Sequence, residues 1–296
     1  MSARTVAVAA ALMFSTQASA SIDPRCAEIA AAGVPADYSE QAQQDYLQNY
    51  FALSSSFSPV HGPVPHEPGH GAVGLDLGVI PPLPCERRLV LSYTKTEDTN
   101  KSPLLPRPRV TFSLPAIGQM VPYAGFAYLP PVKLLGVTNV ILSGEAGVGF
   151  RFGEIVQFGG RFHATTHKTV GEIATPFVEG DPAFDDLYNA STFGADLMFG
   201  LDLDPVSPYV SVGLLDVSTF FFIGDDSVVV NNFHPYAGPV ASIGLDALAT
   251  EHLRLAGELY AAAGGHSRPD KTIESLEGFG RYGRFVTGRI RVAYEF

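Results

Sequence analysis

Apolar and polar residues alternate along most of the chain with a period of two, which is typical of β-strands with one apolar and one polar face. The clearest case is the last segment, residues 283–296. Val286, Ile290 and Val292 share one parity there, whereas Arg289 and Arg291 lie on the other. The pattern predicts a strand that presents one apolar face to the very end of the chain.

Eleven earlier segments show a similar alternation, which predicts a sheet of about twelve strands, with ten or fourteen as alternatives. The apolar face of one of them, residues 207–222, cannot be assigned from its pattern. The eleven segments are 50–59, 72–80, 87–96, 107–115, 119–129, 139–152, 154–166, 191–203, 207–222, 236–247 and 253–263.

The connections between these segments alternate between long and short along the chain, as in an up-and-down barrel. Long connections fall at 60–71, 97–106, 130–138, 167–190, 223–235 and 266–282, and short ones at 81–86, 116–118, 153, 204–206 and 248–252. A soluble β-sandwich or a dry-core barrel would show similar faces locally. The many small residues on the polar parity disfavour it, since a water-facing surface carries longer polar side chains. These residues are Gly74, Gly78, Gly147, Gly149, Gly159, Gly194, Gly200 and Gly244.

The terminal strand, ending in Tyr294 and Phe296, resembles the closing strand of bacterial outer-membrane β-barrel proteins. The resemblance implies an all-β transmembrane antiparallel barrel in the bacterial outer membrane, surrounded by lipid. It also implies that Tyr294 and Phe296 form the signal that the barrel-assembly machinery reads, and that the C-terminus lies in the periplasm. The resemblance extends to the class and to no more specific family.

The N-terminal residues differ from the rest of the chain. Residues 1–20 combine Arg4, an apolar run and a small-residue site at Ala18–Ala20, which predicts a signal peptide. Residues 21–47 are expected to form a periplasmic segment with a short helix at 37–49, or a disordered terminus. Residues 48–296 are then the barrel domain.

Composition narrows the possible partners. The 296 residues carry a net charge of −11 without a Lys/Arg cluster, which argues against nucleic acid. The two cysteines, Cys26 and Cys85, predict a disulfide in an exported protein, although two free thiols remain an alternative. The connection 81–86 is expected on the periplasmic side, close to the N-terminal segment.

Charged side chains on the polar parity are expected to line the lumen. They are Glu145, Arg151, Arg161, His163, Asp196, Asp202, Asp246, Arg254, Glu258, Arg289 and Arg291. Mixed charges on facing walls can form an aqueous path, which favours passive passage or binding of a small solute. The alternative is that opposite charges pair across the lumen, which gives a non-conducting structural or surface-interaction barrel.

The sequence supports a catalytic or metal-binding site less well than a charged lumen. His61, His66 and His70 with Glu67 could hold a metal ion, but their spacing matches no known rigid site. His163 lacks a serine in a matching context, so a lipid-modifying enzyme is the least favoured alternative. The sequence therefore predicts no catalytic residue, no metal and no cofactor.

Overall fold

The computed structural model describes most of the chain in ten stretches. These are residues 27–32, 40–83, 85, 89–90, 93–94, 103–134, 136–173, 182–224, 228–262 and 285–296. The predicted signal peptide lies outside them.

The described residues form two helices and twelve strands. The helices are α1 (Ala27–Ala32) and α2 (Glu40–Ser55). The strands are β1 (Gly71–Val79), β2 (Leu89–Val90), β3 (Tyr93–Thr94), β4 (Leu104–Ser113), β5 (Met120–Leu134), β6 (Val137–Phe152), β7 (Val156–Gly171), β8 (Asp186–Leu201), β9 (Val206–Ile223), β10 (Val228–Leu248), β11 (Leu253–Ala262) and β12 (Phe285–Glu295).

Ten of these strands form a closed antiparallel barrel, which confirms the predicted architecture. Neighbours in the sheet follow chain order from β4 to β12, and β1 closes the ring between β12 and β4. The backbones of Gly71 and Phe296 exchange two hydrogen bonds of 3.1 and 2.8 Å at the seam. We call the end of the barrel with Gly71 and Phe296 the C-terminal end, and the end with Val79 and Phe285 the opposite end.

The predicted number of twelve barrel strands is wrong, and two segments account for the difference. Residues 50–55 belong to α2, which runs six residues past the predicted helix end. Their apolar side chains pack inside the barrel rather than in its wall, so they fit a helix as well as a strand. Residues 87–96 contain only the two-residue strands β2 and β3, which pair with each other outside the barrel sheet.

Strands β5, β6, β9 and β10 continue into regions predicted as long connections. Only residues 135–136 join β5 to β6, and residues 224–227 join β9 to β10. The faces of 207–222 could not be assigned from the sequence because α2 packs on the inner face of this strand. Val210 and Leu214 face outward, whereas Val217 and Phe221 face inward onto α2, so both faces are apolar.

The connection that contains Cys85 lies at the opposite end, not beside the C-terminus as predicted. It follows Val79, and β1 runs antiparallel to β12, so the chain leaves β1 at the end where β12 begins. The prediction counted strands back from the C-terminus and took 87–96 as a barrel strand between β1 and β4, which reversed the direction assigned to β1. Cys26 lies outside the described residues, so the Cys26–Cys85 bridge stays a prediction.

The outer surface of the barrel carries an apolar band bounded by polar residues. On β7 the outward residues from Val156 to Ala164 are apolar apart from Gly160, and Phe162 is 62% exposed. Nine strand residues at a tilt of about 40° span about 23 Å, close to the apolar height of transmembrane barrels. Beyond them, towards the opposite end, β7 to β9 present a polar belt on the outward parity, formed by Thr166, Lys168, Asn189, Ser191, Asp216 and Ser218.

Neither described helix is long and apolar enough to cross a membrane.

The apolar band predicts a position-dependent effect of charge on β7. We expect Phe162→Arg to lower the free energy of unfolding by about 2–4 kcal/mol, because it places a guanidinium near the bilayer midplane. Thr166→Arg, on the same face within the polar belt, should cost about 0–1 kcal/mol. Urea titration of each variant refolded into lipid vesicles measures the difference, and equal costs would contradict the position of the band.

Candidate functional site in the barrel lumen

The lumen is occupied by the chain's own N-terminal part. Helix α2 fills the half at the opposite end, and residues 56–70, here called the lumen segment, continue from Ser55 to the start of β1 at Gly71. His61 and Phe57 are 0% and 1% exposed. The polar face of the barrel wall therefore contacts protein, not open water, along most of the lumen.

Helix α2 is held by an apolar cluster at the opposite end. Tyr50 and Leu53 pack with inward wall residues that include Tyr188, Phe221 and Phe285. The rings of Tyr50 and Phe285 meet edge to face with centroids 5.5 Å apart. The hydroxyl of Tyr188 donates to the carbonyl of Gln48 at 2.7 Å, so a wall side chain also binds the helix backbone.

A network of buried ion pairs, centred on Glu145, lies between α2 and the C-terminal end of the barrel. Its carboxylate accepts from Arg109 and, at 2.6 Å, from Nη1 of Arg161. Arg161 also pairs with Asp196 at 2.7 Å, and Arg109 with Asp76 at 3.0 Å. These five side chains come from β1, β4, β6, β7 and β8, so the network joins half of the barrel wall.

The arginines of the wall also donate to main-chain carbonyls of α2 and the lumen segment. Arg161 Nη2 donates to the carbonyl of Phe57 at 2.6 Å, and Arg109 Nη1 to that of Ser58 at 3.2 Å. Arg289 Nη2 donates to the carbonyl of Leu53 at 3.1 Å. The guanidinium of Arg109 additionally lies 4.2 Å from the centre of the Phe57 ring, within cation–π range.

Wall acceptors bind the main-chain amides of the lumen segment in turn. The amide of Val60 donates to Oε2 of Glu258 at 3.1 Å, and the amide of Val64 donates to Oε1 of Gln157 at 3.3 Å. Tyr209 donates its hydroxyl to the same oxygen of Glu258 at 2.9 Å. The wall therefore presents donors to the carbonyls and acceptors to the amides of one peptide.

Small residues on the wall make room for this peptide, which accounts for some glycines on the polar parity. A side chain at Gly200 would bring its Cβ to 2.6 Å from Cδ of Pro63, and one at Gly159 would bring it to 3.2 Å from Cβ of Pro63. Pro63 thus occupies space that a larger wall residue would fill.

A polar cavity of about 370 Å³ remains at the C-terminal end. Arg254 crosses it, pairing with Asp246 at 2.8 Å and with Glu295 at 2.9 Å, and donating to the carbonyl of Pro65 at 2.7 Å. At the rim, Arg151 pairs with the exposed Glu67 at 2.8 Å. This end of the lumen segment is therefore also bound by charged wall residues.

The sequence-predicted lumen residues fall into two groups. Those around the lumen segment are Glu145, Arg161, His163, Asp196, Glu258, Arg289 and Arg291, all nearly inaccessible to solvent. Those at the C-terminal cavity are Arg151, Asp202, Asp246 and Arg254. The two predicted assembly-signal residues, Tyr294 and Phe296, are exposed on the outer surface.

Sequence reasoning missed the partners that complete the network. Asp76 and Arg109 lie on the polar parity of β1 and β4, and this signal could have identified them. The lumen segment itself was predicted to be part of a strand and a long connection. It has no periodic pattern, so its place inside the barrel follows only from contacts with residues distant in the sequence.

The histidines of the lumen segment have separate surroundings. His61 lies 3.4 Å from Glu145, whereas His66 contacts Thr111 at 2.7 Å and Glu295 at 3.4 Å. Across the described part of the chain, no three His, Cys, Asp or Glu side chains are arranged to hold a metal ion.

The arrangement has one clear physical consequence. The charges of the central lumen are engaged with one another and with the segment that fills it, so no continuous aqueous path crosses this conformation through the described residues. A path would form only if the lumen segment moved.

No protein-family model and no curated protein matches this chain. Several solved structures resemble its fold. The translocator domain of the autotransporter NalP from Neisseria meningitidis is 12% identical, with 86% of this chain and 96% of that chain covered and a TM-score of 0.46. The β-domain of the Bordetella autotransporter BrkA is 9% identical, covering 77% and 98% with a TM-score of 0.39. A Pseudomonas aeruginosa FadL homologue is 8% identical, covering 83% and 96% with a TM-score of 0.33.

The ion network predicts that Glu145 is far more important for stability than an exposed carboxylate. We expect Glu145→Gln to lower the free energy of unfolding by about 3–5 kcal/mol, because it leaves Arg109 and Arg161 buried with less opposite charge. Glu67→Gln, which breaks the exposed pair with Arg151, should cost at most about 1 kcal/mol. Denaturant unfolding in detergent compares the two, and similar costs would show that Glu145 is not buried in a network.

Proposed function

We propose that this chain is a bacterial outer-membrane β-barrel that is closed at rest by its own N-terminal part, and that small polar solutes pass only when α2 and the lumen segment are displaced. The apolar band on the outer surface supports residence in a membrane, because only a closed barrel or a helix satisfies its backbone in lipid. The outer membrane is favoured over other membranes because β12 resembles the closing strand of outer-membrane barrels.

The observation that carries the proposal is the occupied lumen. Arg109, Arg161 and Arg289 donate to carbonyls of residues 53–58, and Glu258 accepts from the amide of Val60. Once that peptide leaves, the same side chains would line a polar path with charges of both signs. The proposal assigns no catalytic role to them, since each is engaged in holding the segment.

The main alternative is a barrel that never conducts and serves a structural or surface-interaction role. The apolar cluster around Tyr50 and Leu53 favours it, because releasing α2 would expose a large apolar surface. The two functions differ in whether removal of the peptide creates a path.

Single-channel recording in planar bilayers tests the proposal. We expect wild-type protein to be closed almost all the time, and a variant lacking residues 40–66 to conduct steadily. Glu67→Gln leaves the central lumen unchanged and should remain closed, which makes it the matched control. Heat-modifiable migration on gels verifies that each variant has formed a barrel.

Two results would overturn the proposal. One is steady conduction by the wild-type protein, and the other is a deletion variant that folds and remains closed, which would favour the non-conducting alternative. If the deletion variant does not fold, urea added to wild-type channels provides the test, because partial release of the segment should cause brief openings.

A further inference from the structure

The direction of the N-terminal part through the lumen is unambiguous. Tyr50 contacts Phe285 at the start of β12, Val60 contacts Glu258 in the middle of β11, and His66 contacts Glu295 at the end of β12. The peptide therefore runs from the opposite end to the C-terminal end. Helix α2 therefore enters the lumen from the opposite end.

The apolar band indicates where α2 lies relative to a membrane. Its Gln48 and Tyr50 contact wall residues such as Tyr188, Thr219 and Phe285. Tyr188 and Thr219 lie level with or beyond the polar belt, next to Asn189 and Ser218. Helix α2 thus sits at the edge of the membrane-spanning part, and α1 precedes it with Ala31 exposed.

The wall binds the peptide through both its backbone and its side chains. Carbonyls of Leu53, Phe57, Ser58 and Pro65 and amides of Val60 and Val64 are bound by wall side chains. Side chains contribute as well, since His61 contacts Glu145 and Glu67 pairs with Arg151. The wall is therefore matched to this particular segment of the chain.

From these observations we propose that the barrel carries the N-terminal part of its own chain across the membrane and presents it on the side opposite the C-terminus. The ligand of the lumen is this segment of the chain itself. This inference rests on the proposed membrane residence, and it replaces the expectation that residues 21–47 lie in the periplasm. With a periplasmic C-terminus, α1 is on the cell surface.

Cysteine labelling on intact cells tests the topology. In a Cys26→Ser, Cys85→Ser background, Ala31→Cys places a thiol on the exposed face of α1, and Glu67→Cys places one at the C-terminal end. The reagent is a maleimide attached to a polymer too large for porins. We expect Ala31→Cys to be labelled on intact cells, and Glu67→Cys to be labelled only after the outer membrane is permeabilised.

The opposite pattern, or protection of both thiols on intact cells, would overturn the inference. Glu28→Cys, also exposed on α1, repeats the test if the first variant does not assemble. Fractionation separates this result from failure of the proposed function. Protein absent from the outer-membrane fraction would refute membrane residence, whereas protein present there with reversed labelling would refute only the direction of the chain.

Discussion

A buried guanidinium requires acceptors, and the rest of this structure depends on how the lumen supplies them. The central wall carries five arginines, Arg107, Arg109, Arg161, Arg289 and Arg291, against four carboxylates, Asp76, Glu145, Asp196 and Glu258. The carboxylates accept hydrogen bonds from some of these guanidinium groups, and carbonyls of residues 53–58 accept further ones. The wall and the peptide are therefore interdependent, because each leaves buried polar groups without partners if the other moves.

Two kinds of contact divide the lumen along its axis. At the opposite end, the apolar side chains of α2 pack on inward residues such as Tyr188 and Phe221, which resembles the core of a soluble protein. Nearer the C-terminal end, charged side chains bind the backbone of the lumen segment. The first arrangement resists release through its apolar area, and the second through buried charge. The lower part provides the side chains suited to a polar path.

The barrel wall was predictable because one face of each strand contacts lipid and the other contacts polar groups. A period of two identifies ten strands correctly, including β12 with its outward Ile290 and inward Arg289. The same reasoning fails where a segment is apolar for another reason. Phe51 and Leu53 alternate as in a strand, but they belong to a helix inside the barrel. Val217 and Phe221 face inward because α2 covers them, so their strand has no polar face at that level.

The site was less predictable than the fold. Most of its charged side chains lie on the polar parity and could be chosen from the pattern, as Glu145 and Arg161 were. The segment that closes the lumen could not be chosen, because residues 56–66 show no periodicity and contact wall residues far away in sequence. Ser56 and Arg289, for example, are 233 positions apart. The direction of the chain depends in turn on β1 pairing with β12, which counting strands reversed.

Hydrogen–deuterium exchange of the lumen segment in the folded barrel tests the central claim most directly. The amides of Val60 and Val64 are bound to wall side chains and shielded from solvent, so they should exchange slowly, at rates comparable to those of the barrel strands. Exchange across residues 56–66 as fast as in an unstructured peptide, while the strands remain protected, would show that the lumen is not closed by this segment.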